Sequence, residues 1–330
     1  MNPTKSSHIV VTGAAGFIGF HTVQGLGERN YSVNAFDLKP SLGRKLDSPS
    51  VSWHYGDMQD LETIRKLTEG VDGIIHLAGI SRLSDGFQNP HLCMMTNTIG
   101  ALNVLECARV AKKSPWVILG STREVQDVRL PNDNVLFQNA RGVYGLSKLC
   151  SEFLGERFAR DYGLRVLTLR FSDVYGSMLD NFDRVLPKFV VRAIQNAPIT
   201  VTDSPNEHDF TYYADVVEAI VKGVQFIDRQ EKGFYDAATI CTGNGTKIRE
   251  LATLVIELAQ SKSFLTINEP TEQDAFRSSP LLNNTDRARK LLSFTSRVTL
   301  EEGLKRTIAV HRQLRDVERE PQLSTIRVSS

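Results

Sequence analysis

No two of the four cysteines, Cys93, Cys107, Cys150 and Cys241, stand in CxxC spacing, and the seven histidines form neither an HxH nor an HExxH pair. These absences leave a zinc site without ligands and a disulfide framework without a pattern, so the thiols read as buried side chains and no metal is expected. An excess of either charge is missing too, with 39 Lys plus Arg against 38 Asp plus Glu. Lacking a long-range field, the chain is not expected to attract nucleic acid or an anionic membrane, and binding must come from local sites. Long apolar runs are also absent, and HIVVTG near the start is too short for a signal peptide or a membrane span. A soluble protein of a reducing, cytoplasmic compartment is the expectation. Internal repeats and low-complexity segments are lacking as well. With 330 residues, 41% of them hydrophobic, the chain can build one large domain or two moderate ones.

What the first half does contain is alternation. Short β-branched runs (HIVVT, YSVNAFD, VSWHYGD, GIIHLAG) are separated by helical patterns, one from about Phe17 and another in DLETIRKLTEG. A long helix near residues 90 to 112, the strand PWVILGS, a loop rich in Asn and Asp, a helix from about Gly142 to Tyr162 and the strand LRVLTLR follow. Such βαβ units imply an α/β fold with a parallel sheet of at least six strands. Beyond Arg170 the pattern shifts to the amphipathic helices FDRVLPKFVVRAIQNA, TKIRELATLVIELAQ and LEEGLKRTIAVHRQLRD with short strand-like pieces between them. Residues 1–170 therefore read as one domain, with 212–240 returning to it; 171–211 with 241–315 read as a smaller lobe, and 316–330, without strong periodicity, as a disordered tail.

Directly after the first strand, VTGAAGFIGFHTV carries Gly13, Gly16 and Gly19 in GxxGxxG spacing, opening a helix. A tight turn needs one residue without a Cβ, close approach to a pyrophosphate needs a second, and packing of helix on strand needs a third. The helix N-terminus then offers free N–H groups and positive dipole to the phosphates. The second strand ends in Asp37, where a carboxylate can accept hydrogen bonds from an adenosine ribose. That carboxylate repels a 2′-phosphate and favours NAD over NADP, with Lys39 and Arg44 nearby acting in the opposite sense.

Tyr144 has a lysine, Lys148, four positions later in YGLSK, so both project from one helical face. Beside a nicotinamide, an ammonium and the cationic ring both favour phenolate, so Tyr144 can take the proton of a substrate hydroxyl while hydride leaves for NAD.

In order along the chain, the glycine turn, Asp37, HLAG at 76–79, Asn97, the hydroxyl in STREV, YGLSK and RFSDVYG resemble the extended short-chain dehydrogenase/reductases. Within that group the chain is similar to the NAD-dependent epimerase/dehydratase family, which acts on nucleotide sugars, from about residue 8 to about residue 310. The resemblance implies a Rossmann-type doubly wound parallel sheet with a smaller α+β substrate-binding lobe. It also implies that Thr122 shares the substrate hydroxyl with Tyr144 and that Lys148 holds the nicotinamide ribose. Phe17 and Ile18 would flank the glycine turn, Asp57 and Met58 would meet adenine, and Leu77, Ala78 and Gly79 would line the cofactor path, with Asn97 and Phe171 close by. Related enzymes form homodimers through two helices, here 90–112 and 142–162, whose Leu102, Leu105, Leu149, Phe153 and Leu154 could serve that interface or the core.

The departures from the family bear on chemistry. Dehydratases of the group show Thr-Asp-Glu, with the Asp as acid for water loss, where this chain has Thr122, Arg123 and Glu124. A guanidinium cannot protonate a leaving hydroxyl at neutral pH, so ordinary dehydration is disfavoured; Glu124 either moves a proton beside a keto group or pairs with Arg123. His208 stands where relatives carry a nucleotide-binding Arg, and Asp173 where they carry Asn beside the diphosphate, a repulsive placement unless a cation offsets it. Arg277 resembles the remaining phosphate-binding arginine, Lys188 and Arg192 share a helix face that could assist it, and Arg82 and Ser84 are candidates for substrate contact. The leading expectation is an epimerase-type enzyme that oxidises a sugar hydroxyl to a keto group and re-reduces it. The alternatives are a net dehydrogenase or decarboxylase of a sugar acid or other non-nucleotide polyol, and a non-catalytic NAD-binding protein.

Overall fold

The computed structural model describes residues 7–38, 46, 48–129, 136–140, 142–270 and 284–319. The chain divides into two compact units. The first comprises Met1–Val174, Asp209–Asn244 and Leu282–Arg297; the second comprises Tyr175–His208, Gly245–Leu281 and Val298–Ser330.

The first unit is built on seven strands: β1 (His8–Thr12), β2 (Ser32–Asp37), β3 (Val51–Tyr55), β4 (Gly73–His76), β5 (Trp116–Thr122), β6 (Val166–Phe171) and β7 (Tyr235–Ile240). All pair in parallel, in the order β7-β6-β5-β4-β1-β2-β3. The direction of travel reverses between β1 and β4, the switch point at which open α/β sheets bind ligands beyond their carboxyl ends. Helices α1 (Phe17–Gly27), α2 (Leu61–Thr68), α3 (Gly100–Val110), α4 (Gly142–Tyr162) and α5 (Tyr213–Ile227) cover both faces. The strands are apolar on both sides because both sides are buried. Ile9 and Val11 of β1 pack with Val23 and Leu26 of α1 and Ile220 of α5, whereas Val10 points the other way, to Ile64 of α2, Val104 of α3 and Phe158 of α4. Each such fully buried aliphatic side chain contributes about 1.5–3 kcal/mol.

Three features depart from the expected layout. The Asn- and Asp-rich stretch after β5 is not simply a loop: Val125–Arg129 pairs antiparallel with Leu136–Ala140, in register from Val125 opposite Ala140 to Arg129 opposite Leu136. The chain also returns to the first unit a second time. Ala288, Leu292 and Phe294 enter its core, and Asp215 Oδ2 accepts hydrogen bonds from Ser296 Oγ at 2.6 Å and Arg297 N at 2.9 Å. The segment 284–297 therefore lies outside the smaller lobe. Finally, the last helix runs Leu300–Arg319, so the expected tail at 316 begins as helix; residues 320–330 lie outside the described residues.

In the second unit, helices Val185–Ile194, Ile248–Leu258 and Leu300–Arg319 pack on one another. A parallel pair joins Ile199–Thr202 to Leu265–Asn268, and a short antiparallel bridge joins Glu207–His208 to Thr246–Lys247.

Candidate active site

The ends of β1, β2, β4, β5 and β6 carry most of the residues singled out in the sequence. Past β1, Gly13 turns with φ +70°, and a Cβ there would lie 2.6 Å from Ala78 N. Only glycine accepts both the left-handed backbone and that approach. Gly16 has extended backbone (φ −76°, ψ 173°), and a Cβ on it would meet only Gly13 O, at 3.2 Å. Gly19 is fixed by packing, since its Cβ would sit 1.9 Å from Gly13 O. The three glycines thus have three different reasons to be there. Helix α1 begins without a side-chain cap and without an acidic residue in its first turn, which leaves its leading N–H groups available to an anion. Phe17 and Ile18, the first residues of that helix, lean on the core. This cradle fits a pyrophosphate.

Asp37, at the end of β2, is held against the same turn. Its Oδ2 accepts from Ala15 N at 2.9 Å and its Oδ1 from Leu38 N at 2.8 Å. The neighbouring Lys39 and Arg44 lie outside the described residues. After β3, Asp57 Oδ1 accepts from Gln59 N at 2.9 Å. Met58 is buried against Ile64, and its carbonyl accepts from Asn103 Nδ2 at 2.9 Å.

The segment after β4 is tied down from two sides. Thr12 Oγ1 accepts from Ala78 N at 3.2 Å and hydrogen-bonds His76 Nδ1 at 2.8 Å. Asn97 Oδ1 accepts from Ile80 N at 2.8 Å, while its Nδ2 donates to Ile80 O at 3.0 Å and to Ser147 Oγ at 2.8 Å. Asn97 was expected among the cofactor contacts; buried, with its amide shared between these groups, it positions the Ile80 backbone against α4. It sits in a π-helical turn, Met95–Ile99, inside the expected 90–112 helix, a distortion frequent at functional sites. Leu77 packs against the core, and a Cβ on Gly79 would lie 2.6 Å from Asn97 Oδ1 and 3.3 Å from Lys148 Nζ.

Tyr144 and Lys148 are both buried on α4. Lys148 Nζ donates to Gly120 O of β5 at 3.0 Å, and burial pushes its pKa down to about 8. It still carries its proton at neutral pH. His76 is fully buried, and desolvation, with the Lys148 charge adding to it, lowers its pKa to about 3. A neutral His76 and a cationic Lys148 therefore share this end of the sheet.

Thr122 closes β5 opposite Phe171 of β6, and its Oγ1 accepts from Glu124 N at 3.3 Å. Arg123 N donates to Phe171 O at 3.0 Å, which turns its side chain toward two carboxylates. Its Nε lies 3.6 Å from Glu124 Oε1 and its Nη1 3.3 Å from Asp173 Oδ2. Glu124 in turn packs its Cβ 3.3 Å from where a Cβ on Gly145 would stand, beside Tyr144. The carboxylate of Asp173, repulsive to a diphosphate on the sequence alone, has a cation at hand.

A buried group that sequence reading passed over supports this turn from below. Arg170 Nη2 meets Glu152 Oε2 at 2.7 Å, its Nε reaches both oxygens, and Ser121 Oγ donates to Glu152 Oε1. Both residues are almost wholly buried, so the pair locks β5, β6 and α4 together beneath Thr122. Glu152 falls one helical turn after Lys148, the only signal the sequence offered.

The remaining substrate candidates are scattered. Arg82 precedes the short helix Leu83–Gln88, and its carbonyl accepts from Gly86 N at 3.1 Å. Ser84 is exposed and donates to Asp85 Oδ1 at 3.3 Å. Lys188 is exposed on the helix Val185–Ile194, whereas Arg192 Nη1 donates to Pro198 O at 2.7 Å and so stitches the end of that helix to the next strand. This local bond, rather than an open cationic face, is what the structure gives Arg192. His208 pairs with Thr246 in the short bridge. Arg277 lies outside the described residues. Among the described residues, no group of three metal-ligating side chains occurs and no helix is long and apolar enough to cross a membrane.

A parallel sheet in this strand order, with a glycine turn at the switch point and a Tyr and Lys one helical turn apart nearby, defines a dinucleotide-binding enzyme of the Rossmann type. The chain belongs to the NAD dependent epimerase/dehydratase family, whose model matches residues 9–238. It is 28% identical over 306 residues to a Methanocaldococcus jannaschii protein provisionally named a UDP-glucose 4-epimerase, covering 91% of this chain and 97% of the relative. A zebrafish (Danio rerio) UDP-glucuronic acid decarboxylase is 27% identical over 310 residues, covering 91% of this chain and 71% of the relative. Among solved structures, UDP-glucose 4-epimerase of Thermotoga maritima with UDP-glucose superposes with a TM-score of 0.79 at 27% identity, covering 93% of this chain and 99% of that one.

Proposed function

We propose that the chain is a UDP-sugar epimerase: it oxidises one ring hydroxyl to a keto group and re-reduces it from the other face. Tyr144 Oη takes the hydroxyl proton and later returns it. Thr122 Oγ1 orients the same hydroxyl, and the buried ammonium of Lys148 favours the phenolate form of Tyr144. The glycine turn and Asp37 would hold NAD, which when bound would supply the hydride acceptor and donor. The observation that carries this reading is Arg123. Engaged by Glu124 and Asp173, it occupies the place from which an acid would expel water, and it has no proton to give. The UDP moiety is taken from the names of the relatives.

The same reading extends to a homodimer. Leu105 and Leu149 are buried in the core and Leu102 and Leu154 pack against it, but Phe153 is 47% exposed, and Leu146, one heptad earlier on α4, is 46% exposed. This apolar stripe suits a second copy of the helix.

The test is to incubate the NAD-loaded protein with UDP-glucose and follow the sugar by proton NMR. Epimer should accumulate without net NADH, and Tyr144→Phe should slow it by at least about 100-fold. NADH formed in step with product would refute the proposal and identify a dehydrogenase, and CO2 released from UDP-glucuronate in a parallel incubation would refute it in favour of a decarboxylase.

A further inference from the structure

The Arg123 cluster also bears on which sugar is accepted, and this inference rests on the UDP-sugar reading above. A guanidinium beside a catalytic tyrosine is the natural partner of a carboxylate on the substrate ring, as a uronate would present. Here the guanidinium already has carboxylates of its own chain as partners. Glu124 approaches it from its own turn, and Asp173 from the segment after β6, at 3.6 and 3.3 Å. The arrangement is held at its root by the Arg123 N to Phe171 O bond and by Asp173 N donating to Asp209 O at 3.0 Å. The side chains of Arg123 and Asp173 are 19% and 24% exposed, so a ligand can reach them, yet they are sheltered enough from water for charge to matter. The Cβ of Glu124 packs against Gly145, the residue that follows Tyr144 on α4.

We propose that Asp173 is a specificity-determining residue: as counterion of Arg123 it keeps the guanidinium from receiving a substrate carboxylate, so the site takes a sugar with an uncharged C6 group and rejects the uronate. A neutral hydroxymethyl group has no need to displace Asp173. A carboxylate would have to compete with it and lie close to two like charges.

The experiment measures binding of UDP-glucose and UDP-glucuronate to the NADH-loaded wild type and to Asp173→Asn, an isosteric change, with Asp173→Ser as a second variant. Wild type should favour UDP-glucose, and both variants should shift the ratio of affinities toward UDP-glucuronate by about tenfold, the scale of freeing one charged hydrogen-bonding partner. Equal or tighter uronate binding by wild type, or an unmoved ratio in the variants, would overturn the proposal. Quenching of bound NADH fluorescence by iodide, relative to neutral acrylamide, gives a readout independent of sugar. Asp173→Asn should raise it about twofold by admitting anions. If neither UDP-sugar binds, the UDP-sugar reading has failed, and the iodide ratio decides this one: an increase upholds the control of anion entry by Asp173, and no change refutes it.

Discussion

The three glycines of the first turn should fail in three distinguishable ways when each is replaced by alanine. At Gly13 the new Cβ meets Ala78 N at 2.6 Å and Ala78 Cα at 2.8 Å, on backbone with φ +70°. Left-handed strain of about 1–2 kcal/mol and overpacking of about 1–3 kcal/mol give a loss of roughly 3 kcal/mol. At Gly19 the contact is 1.9 Å from Gly13 O. The helix must move, and a similar loss results even after the gain of about 1 kcal/mol in helix propensity. At Gly16 the backbone already suits alanine and the nearest atom is 3.2 Å away, so the cofactor-free protein should lose less than about 1 kcal/mol. The methyl group instead fills the opening proposed for the pyrophosphate. Scanning fluorimetry without NAD should show midpoints lowered by roughly 5–10 °C for Gly13→Ala and Gly19→Ala and by no more than about 2–4 °C for Gly16→Ala. Calorimetric NAD affinity should fall at least about tenfold in all three. If Gly16→Ala lost as much stability as Gly19→Ala, or kept full NAD affinity, the assignment of the open side of the turn to the cofactor would be wrong.

Two further outcomes follow from groups described above. His76 has its pKa lowered from 6.5 to about 3, so it is neutral in the folded chain at pH 4.5 but protonated in the unfolded one. The stability this contributes is complete above pH 6.5 and lost as pH falls; between pH 7 and 4.5 the loss amounts to roughly 2–3 kcal/mol. In urea titrations at those two pH values, His76→Asn, whatever its absolute stability, should lose roughly that much less than wild type, and equal losses would contradict the burial argument. For assembly, Leu146→Glu combined with Phe153→Glu should convert a dimer into a monomer by light scattering at micromolar concentration; a monomeric wild type would remove the dimer from the proposal.

Much of the first unit could be read from the chain because its signals are local. The β-branched runs, the glycine spacing and the four-residue spacing of Tyr144 and Lys148 in Gly142–Tyr162 each lie within one short segment. What escaped reading depends on register between distant strands. Thr122 and Phe171 stand side by side only because β5 and β6 pair as they do, and that pairing brings Arg123 to Asp173, while the packing of α4 on the sheet brings Glu152 to Arg170. The same is true of the second return of the chain, where Ser296 and Arg297 answer the carboxylate of Asp215. Two positions that looked like separate departures from the family, a misplaced cation and a misplaced anion, are thereby one paired change. The antiparallel pairing after β5 went unseen because its Asn- and Asp-rich centre has the composition of a loop.

That antiparallel pairing has a bearing on how such a chain can vary. Val125 and Ala140 face each other at its base, so the residue after Glu124 and the residue two before Gly142 are clasped whatever lies further out. Changes in the number or kind of residues between the two strands would therefore leave the spacing between Glu124 and Tyr144 unaltered. The length and composition of the chain beyond that clasp can drift while the catalytic spacing is kept.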